Sequence, residues 1–215
     1  VGAEVERVWE RRRRDLATRA APLTGVSEFP NLDETPLERP ADPAVRGPVP
    51  GGFAVRRYAQ DFEALRDRCD EHRAASGHRP TAFLATLGPV AVHTARASFA
   101  ANLLAAGGIA AHQPGPLEDV GAVAAAFAAS GHQVAVICSS DRVYAEHAQA
   151  LARSLKAAGA HRVLLAGAPR DAYREAGVDV FAHQGCDAVA LLTDLVDVLT
   201  TDPPVSTTDA QGASA

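Results

Sequence analysis

The fold is decided by the stretch Thr81-Ala-Phe-Leu-Ala-Thr-Leu-Gly-Pro89, a short apolar run that ends at a Gly-Pro pair. Apolar runs of similar length recur near residues 109–112, 134–138, 162–166 and 178–182. Runs without polar alternation are typical of strands that are buried on both faces, as the strands of a parallel sheet are. The stretch therefore predicts the first strand, over residues 81–87, of a parallel sheet.

Alanine-rich segments separate these runs and predict helices that cover both faces of the sheet. Asp141 is a candidate N-cap of one helix, and Gly159 is a candidate for its C-terminal cap. Five strands alternating with five helices predict an α/β, flavodoxin-like doubly wound sheet with strand order 2-1-3-4-5. The predicted helices are Thr94–Ala106, Leu117–Ala129, Asp141–Ala158, Arg170–Ala176 and Asp187–Leu199.

The sequence outside this domain differs in composition, being richer in charged residues and proline. Val1–Ala21 has helical spacing of apolar residues and a run of four arginines, which is typical of a solvated helix face. A short, strand-capable stretch from Pro22 to Pro30 follows, and a proline-rich connector then extends to Gly52. A charged helix is predicted over Asp61–Ser76, stopped by Gly77, and the Ser/Thr/Pro-rich residues 201–215 predict a disordered tail.

Composition excludes several classes of protein. The chain has 215 residues, is 47% hydrophobic and carries a formal charge of −5, so a core can form and no nucleic-acid partner is indicated. Three cysteines without a C-x-x-C pair indicate neither a disulfide framework nor a structural zinc site. The charged start and the short apolar runs predict a cytoplasmic protein without a signal peptide or membrane span. The absence of methionine suggests a fragment of a longer protein or a truncated gene.

The loop after the first strand, residues 88–93, lies where such sheets bind ligands, beyond the carboxyl ends of the strands. It lacks the hydroxyls and glycines of a flavin-phosphate loop and the acidic residues of a phospho-accepting receiver. His93 is its only metal-competent side chain. As a ligand it would need an acidic partner to fix its tautomer, so a structural role at the start of the next helix is the alternative interpretation.

The loop after the third strand offers Cys138, Ser139 and Ser140. The serines could hydrogen-bond a bound ring system or satisfy backbone groups at the turn. Cys138 could be a nucleophile only beside a base, for which His112 and His147 are candidates, and a buried thiol is the alternative. No Ser/His/Asp set or pair of carboxylates stands out, so the residues alone predict no catalytic group.

Several stretches resemble a known family. Those that carry the resemblance are Arg11-Arg-Arg-Arg-Asp-Leu-Ala-Thr-Arg19, Pro22-Leu-Thr-Gly-Val-Ser-Glu-Phe-Pro-Asn-Leu32, Arg79-Pro80, Leu87-Gly88, Cys138-Ser-Ser-Asp-Arg-Val-Tyr144 and Leu151–Gly159. Together they resemble the methylmalonyl-CoA mutase family, in particular its small (beta) subunits. The resemblance implies that residues 1–29 are the end of a (β/α)8 barrel and 30–78 a linker with a helix. It further implies that 79–200 form a cobalamin-binding-like domain, followed by the tail.

The resemblance also implies where cofactor residues would lie. The large subunits of this family carry Asp-x-His-x-x-Gly after the first strand, with the His as lower cobalt ligand, a Ser-x-Leu turn after the third strand and Gly-Gly after the fourth. In this chain valines replace the Asp and the His, alanine replaces the final Gly, and the one nearby histidine is a residue out of register. The positions that depart from the motifs are Val90, Val92, His93, Ala95, Ser139, Ser140, Gly167 and Ala168.

The role implied by the resemblance is that of a non-catalytic small subunit. We expect this chain to bind no cofactor or metal, and adenosylcobalamin to reside in a large (alpha) subunit with which it forms a heterodimer. Acyl-CoA would be bound only by the full complex. Two alternatives are a cobalamin-binding module that uses His93, and a stand-alone interaction protein derived from a truncated mutase. We also expect residues 79–200 to fold alone and Val1–Phe29 to lack packing partners without the rest of a barrel.

Overall fold

A computed structural model describes residues 2–35 and 56–201. Its centre is a five-stranded sheet in which every pairing is parallel and the strand order is β2-β1-β3-β4-β5. The predicted α/β doubly wound class and the strand order are therefore confirmed. The strands are β1 (Thr81–Thr86), β2 (Ala110–His112), β3 (Val134–Cys138), β4 (Arg162–Ala166) and β5 (Val180–Ala182).

Seven helices occur in the described ranges, two before the sheet and five between or after its strands. They are α1 (Gly2–Ala17), α2 (Gln60–Ser76), α3 (Val90–Ala106), α4 (Val120–Ser130), α5 (Asp141–Ala157), α6 (Asp171–Glu175) and α7 (Ala188–Thr201). The proline-rich connector lies largely, and the predicted tail almost wholly, outside the described residues. None of the described helices is both long and apolar enough to cross a membrane.

The sheet separates two apolar cores. Successive residues of a strand point to opposite faces, so Leu84 of β1 packs with α2, α3 and α7, while Phe83 packs with α4, α5 and α6. Small side chains permit close approach of helices, and a Cβ added at Gly107 would lie 3.0 Å from Leu192 Cδ2. This double coverage explains why the strands show no polar alternation in the sequence.

Helix α3 begins at Val90, four residues before the predicted start at Thr94. Pro89 has φ −58°, a value suited to the position before a first helical turn, where a missing N–H is not needed. Helix α5 is capped by Ser140, whose Oγ accepts from the Val143 N–H at 3.4 Å, so the predicted N-cap Asp141 was wrong by one residue. Gly159, with φ +95°, follows the end of the same helix.

The stretch from Pro22 to Pro30, which the sequence marked only as capable of forming a strand, forms a tight turn. The Leu23 carbonyl accepts hydrogen bonds from the Val26 and Ser27 N–H groups at 3.0 and 2.9 Å. Gly25 has φ +79°, which favours a turn, and the pairing of Thr24 with Glu28 is an isolated bridge. The apolar content that makes the stretch capable of forming a strand does not reveal this local hydrogen bonding.

The N-terminal segment has packing partners, contrary to expectation. Helix α1 contacts α7, and Arg13 pairs with Asp61 of α2 at 2.7 Å. Arg66 of α2 donates to the carbonyl oxygens of Val26, at 2.6 Å, and Gly25, at 3.3 Å, in the turn. The expectation considered only a missing barrel, whereas α2, which precedes the sheet, and α7, which follows its last strand, supply contacts instead.

Candidate functional site

The candidate site is the edge of the sheet where β1, β3 and β4 end, because doubly wound sheets bind ligands there. Leu87 follows β1, and its N–H donates to the Cys138 carbonyl of β3 at 3.4 Å. Ser139 comes next on β3, and its Oγ donates to the Leu87 carbonyl at 2.8 Å. The structure thus brings the first and third predicted loops together and bonds them directly to each other.

Ser139 is buried, and its polar groups are used within the protein. Besides the bond from Oγ to Leu87, its N–H donates to the Tyr144 hydroxyl oxygen at 2.9 Å. Ser140 caps α5. Of the two interpretations of this pair of serines, the geometry favours satisfaction of backbone groups over contact with a bound ring.

Tyr144 is the central residue of this edge, and the sequence analysis assigned it no role. Its hydroxyl lies 3.0 Å from the carbonyl oxygens of both Ile137 and Ala166, and so joins β3 to β4. Burial raises the pKa of the phenol, so it stays protonated and remains a donor. The sequence does contain one indication of this role: Tyr144 lies one turn into a helix that directly follows a buried strand.

Arg96 of α3 closes the outer side of this edge. Its guanidinium carbon lies 4.7 Å from the centre of the Tyr144 ring, and Nη2 donates to Asp141 at 2.8 Å. Desolvation lowers the pKa of Arg96, but the neighbouring Asp141 carboxylate and Tyr144 outweigh it, so the pKa is raised. The arginine therefore covers the tyrosine as a fixed positive charge.

Gly167 allows the tyrosine to approach the end of β4. A Cβ added at Gly167 would lie 3.0 Å from Leu165 Cδ2 and 3.4 Å from Tyr144 Cε2. Ala168 follows at the exposed surface. The glycine thus serves the close packing of Tyr144 against the end of β4.

His93 lies in the first turn of α3 and is fully buried. Its Nδ1 is 3.1 Å from the Gly88 carbonyl oxygen, while Nε2 has no hydrogen-bond partner in the described part of the chain. Val90 is 56% exposed, and Val92 and Ala95 lie on the same helix. Neither valine has a lone pair to offer a metal, and the buried imidazole lines the start of the helix.

The surroundings of Cys138 do not favour a nucleophilic thiol. Full burial raises the pKa of its thiol to about 12, so little thiolate forms near neutral pH. Of its suggested bases, His112 is paired with His132 at 2.8 Å, and His147 lies 3.6 Å from Glu146. Within residues 2–35 and 56–201, no group of three or more His, Cys, Asp or Glu side chains is placed to hold a metal ion.

Comparison with known proteins identifies the family. Over 198 residues, or 92% of its length, the chain is 52% identical to the methylmalonyl-CoA mutase small subunit of Streptomyces virginiae. The chain belongs to the family of methylmalonyl-CoA mutase small subunits. It is also 35% identical, over 196 residues, to the small subunit of Propionibacterium freudenreichii subsp. shermanii. No protein-family model matches the chain.

Membership of this small-subunit family confirms the resemblance inferred from the sequence. The chain spans about a third of the length of these relatives, 31% of the Streptomyces protein and 29% of the Propionibacterium protein. The match covers most of the chain, including the edge built around Ser139 and Tyr144. The structure of this chain therefore describes about a third of such a protein, and the activity of the full-length relatives is a separate matter.

Proposed function

We propose that this chain is the C-terminal part of a non-catalytic small subunit of an adenosylcobalamin-dependent methylmalonyl-CoA mutase. In this proposal a large subunit forms the heterodimer with it, carries the cofactor and interconverts methylmalonyl-CoA and succinyl-CoA. Acyl-CoA is bound only by the full, cytoplasmic complex. Family membership supports the assignment to a small subunit.

One observation supports the proposal that the sheet edge binds no cofactor: its loops are hydrogen-bonded to one another. The Ser139–Leu87 bond and the Tyr144 hydroxyl use the polar groups that a ligand would need. By the resemblance, Val92 stands where the lower cobalt ligand would be, and a valine cannot ligate cobalt. His93 is buried beside Gly88. The residues present do not fit cobalamin, so the edge serves as packed structure.

The test is a titration of the purified chain with hydroxocobalamin and adenosylcobalamin, followed in the visible spectrum. We expect the spectrum of the free cobalamin at every protein concentration, while a mutase large subunit measured in parallel gives the bound spectrum. A tight, histidine-ligated complex of this chain would contradict the proposal. Co-expression with a mutase large subunit should give a joint complex in gel filtration, and failure to associate would favour the stand-alone interaction protein.

A second candidate function is a cobalamin-binding module that uses His93. The observation in its favour is that the buried Nε2 has no hydrogen-bond partner in the described residues and retains a lone pair when Nδ1 donates to Gly88. Binding would require the first turn of α3 to unwind. The variant His93→Ala should then abolish cobalamin binding, whereas His147→Ala, which removes an exposed imidazole, should leave it unchanged.

A further inference from the structure

Two histidines meet at the outer strand of the sheet, away from the edge described above. His112 is the last residue of β2, and His132 lies between the end of α4 and the start of β3. The Nδ1 atom of His112 is 2.8 Å from Nε2 of His132, a distance at which one ring nitrogen donates its proton to the other. A hydrogen bond between two side chains therefore joins the end of the outer strand β2 to the turn that leads into β3.

Both rings are held by the surrounding backbone and by one aromatic side chain. His112 pairs with Phe83 in the β1–β2 register, and the Phe83 ring meets the His112 ring edge-on at 5.7 Å. The centre of the His132 ring lies 6.4 Å from that of Phe83, and the His132 N–H donates to Ser130 Oγ at 3.3 Å. The two nitrogens thus face each other because β2 and the end of α4 hold the rings there.

The side chains around this pair are almost entirely uncharged. The elements packed around it, β1, α4 and β3, lie within the described residues and contain no charged side chain. His161 and Arg162, around the start of β4, approach through their N–H groups, which donate to the Gln133 carbonyl at 2.8 and 3.3 Å. The Arg162 guanidinium pairs with Asp194 at 3.0 Å. An imidazolium at His132 therefore has no carboxylate partner among these groups.

We propose that His112 and His132 form a pH-sensitive switch that fastens the end of β2 at neutral pH and releases it in acid. Each neutral imidazole has one N–H and one acceptor nitrogen, so the neutral pair forms the bond, and so does the pair after it binds one proton. A second added proton removes the last acceptor, and two imidazoliums then face each other across 2.8 Å. The exposed His112 ring can turn to solvent, so the bond breaks and β2 loses this attachment.

The half-buried position of His132 has the same consequence. Desolvation, followed by the charge of His112, lowers the pKa of His132 below its ordinary value of 6.5. The folded protein thus binds this proton more weakly than the unfolded chain does. The stability contributed by the hydrogen-bonded pair is complete above pH 6.5 and is lost as the pH falls through the lowered pKa of His132. The proposal is independent of the proposed small-subunit function, because it involves neither the candidate site nor a partner.

The test is a titration of the untagged chain from about pH 8 to about pH 4.5, followed by NMR of the histidine rings and by amide hydrogen exchange. We expect the two rings to bind protons in two steps that are separated by at least about one pH unit. In the second step, the amides of residues 110–112 should lose at least about tenfold in protection, after correction for the intrinsic exchange rate at each pH.

The variant His112→Gln gives the sharpest comparison, because its amide can donate to or accept from His132 but does not titrate. This variant should keep the protection of residues 110–112 in acid, and His132 should titrate in one step, above the second step of the unaltered chain. His147→Ala, which removes an exposed imidazole from α5, should leave both steps and the loss of protection unchanged. Independent titration of the two rings, unchanged protection of β2 across the range, or an equal loss in His112→Gln would each overturn the proposal.

Discussion

Tyr144 shows how one hydroxyl can hold several buried backbone groups. It accepts from the Ser139 N–H and lies 3.0 Å from the carbonyl oxygens of Ile137 and Ala166, where no water reaches it. Such a residue fixes the spacing of β3 and β4 at the point where related sheets bind ligands. A buried group that loses its partner incurs a desolvation cost, so this one hydroxyl has consequences for three backbone groups.

We therefore expect Tyr144→Phe to lower the free energy of unfolding by about 1–3 kcal/mol, because it leaves the Ser139 N–H without an acceptor. The matched control is Tyr173→Phe, since Tyr173 is also buried but its hydroxyl makes no hydrogen bond to the described residues. Urea denaturation measures both variants. Equal losses in the two would show that the phenol contributes through packing and not through hydrogen bonding.

The buried thiol of Cys138 predicts that the stability of the fold decreases at alkaline pH. Burial raises its pKa from 9.0 to about 12 in the folded protein, whereas in the unfolded chain it titrates near 9. The unfolded state thus loses this proton first, and the stability contributed by the protonated thiol is complete below pH 9 and is lost as pH rises towards 12. The slope is at most about 1.4 kcal/mol per pH unit.

The measurement is the free energy of unfolding between pH 8 and about pH 10.5. We expect it to fall less steeply in Cys138→Ala than in the unaltered chain. The neighbouring variant Ser139→Ala, which removes no titrating group, should keep the full pH dependence. A slope that is identical in the cysteine variant would mean that Cys138 is less buried than described.

At the scale of the elements, α2 and the end of α3 approach too closely for any side chain at Gly108. This residue has φ +84°, and a Cβ there would lie 2.9 Å from Cys69 Cβ and 3.1 Å from the Arg66 Cα. Gly77, at the end of α2, has a similar φ of +79° but opens on empty space. The two glycines thus share a backbone conformation and differ in packing.

We expect Gly77→Ala to cost about 1 kcal/mol, the penalty of a left-handed backbone for an L-residue. Gly108→Ala adds an overpacking penalty of about 1–3 kcal/mol because the backbone of α2 must move. Thermal and urea unfolding compare the two variants directly. Similar losses for both would show that α2 is free to move away from this turn.

The sheet was predictable from sequence because each strand is a continuous apolar run and each run is followed by a helix. The boundaries of β3 and β4 agree with the prediction, since charged or glycine-rich loops flank them. The start of α3 was missed because Val90 and Val92 are β-branched residues after Gly-Pro, a pattern that also fits a loop. A helical start depended on the φ of Pro89, which composition does not reveal.

The candidate site was only partly predictable. The departures from the cofactor motifs at Val92 and His93 are implied by the family resemblance and stay a prediction. The Ser139–Leu87 bond joins residues 52 positions apart, and the role of Tyr144 depends on the separation of β3 and β4. These contacts, like the pair of His112 and His132, are set by tertiary structure, and no local pattern encodes them.

For the molecule as a whole, the open question is how residues 2–29 relate to the sheet domain. Arg66 joins them: it donates to Gly25 and Val26 in the turn and to Ala106 at the end of α3, at 3.1 Å. Asn102 of α3 accepts from the Phe29 N–H at 2.9 Å and donates to Glu28 at 3.0 Å. The same interface therefore combines contacts from α2, which precedes the sheet, and α3, which follows its first strand.

Hydrogen exchange distinguishes the structure from the expectation of an unpacked segment. If the contacts of Arg66 hold in solution, the N–H groups of Val26 and Ser27, both bonded to the Leu23 carbonyl, should exchange at least tenfold more slowly than in an unstructured chain. Arg66→Met keeps much of the apolar stem but removes the three guanidinium bonds, and should abolish this protection. The control Arg68→Met, on the same helix as Arg66, removes an exposed pair with Asp197 of α7 and should leave the protection unchanged. Free exchange of both groups in the unaltered chain would mean that this segment needs the remainder of a longer protein to pack.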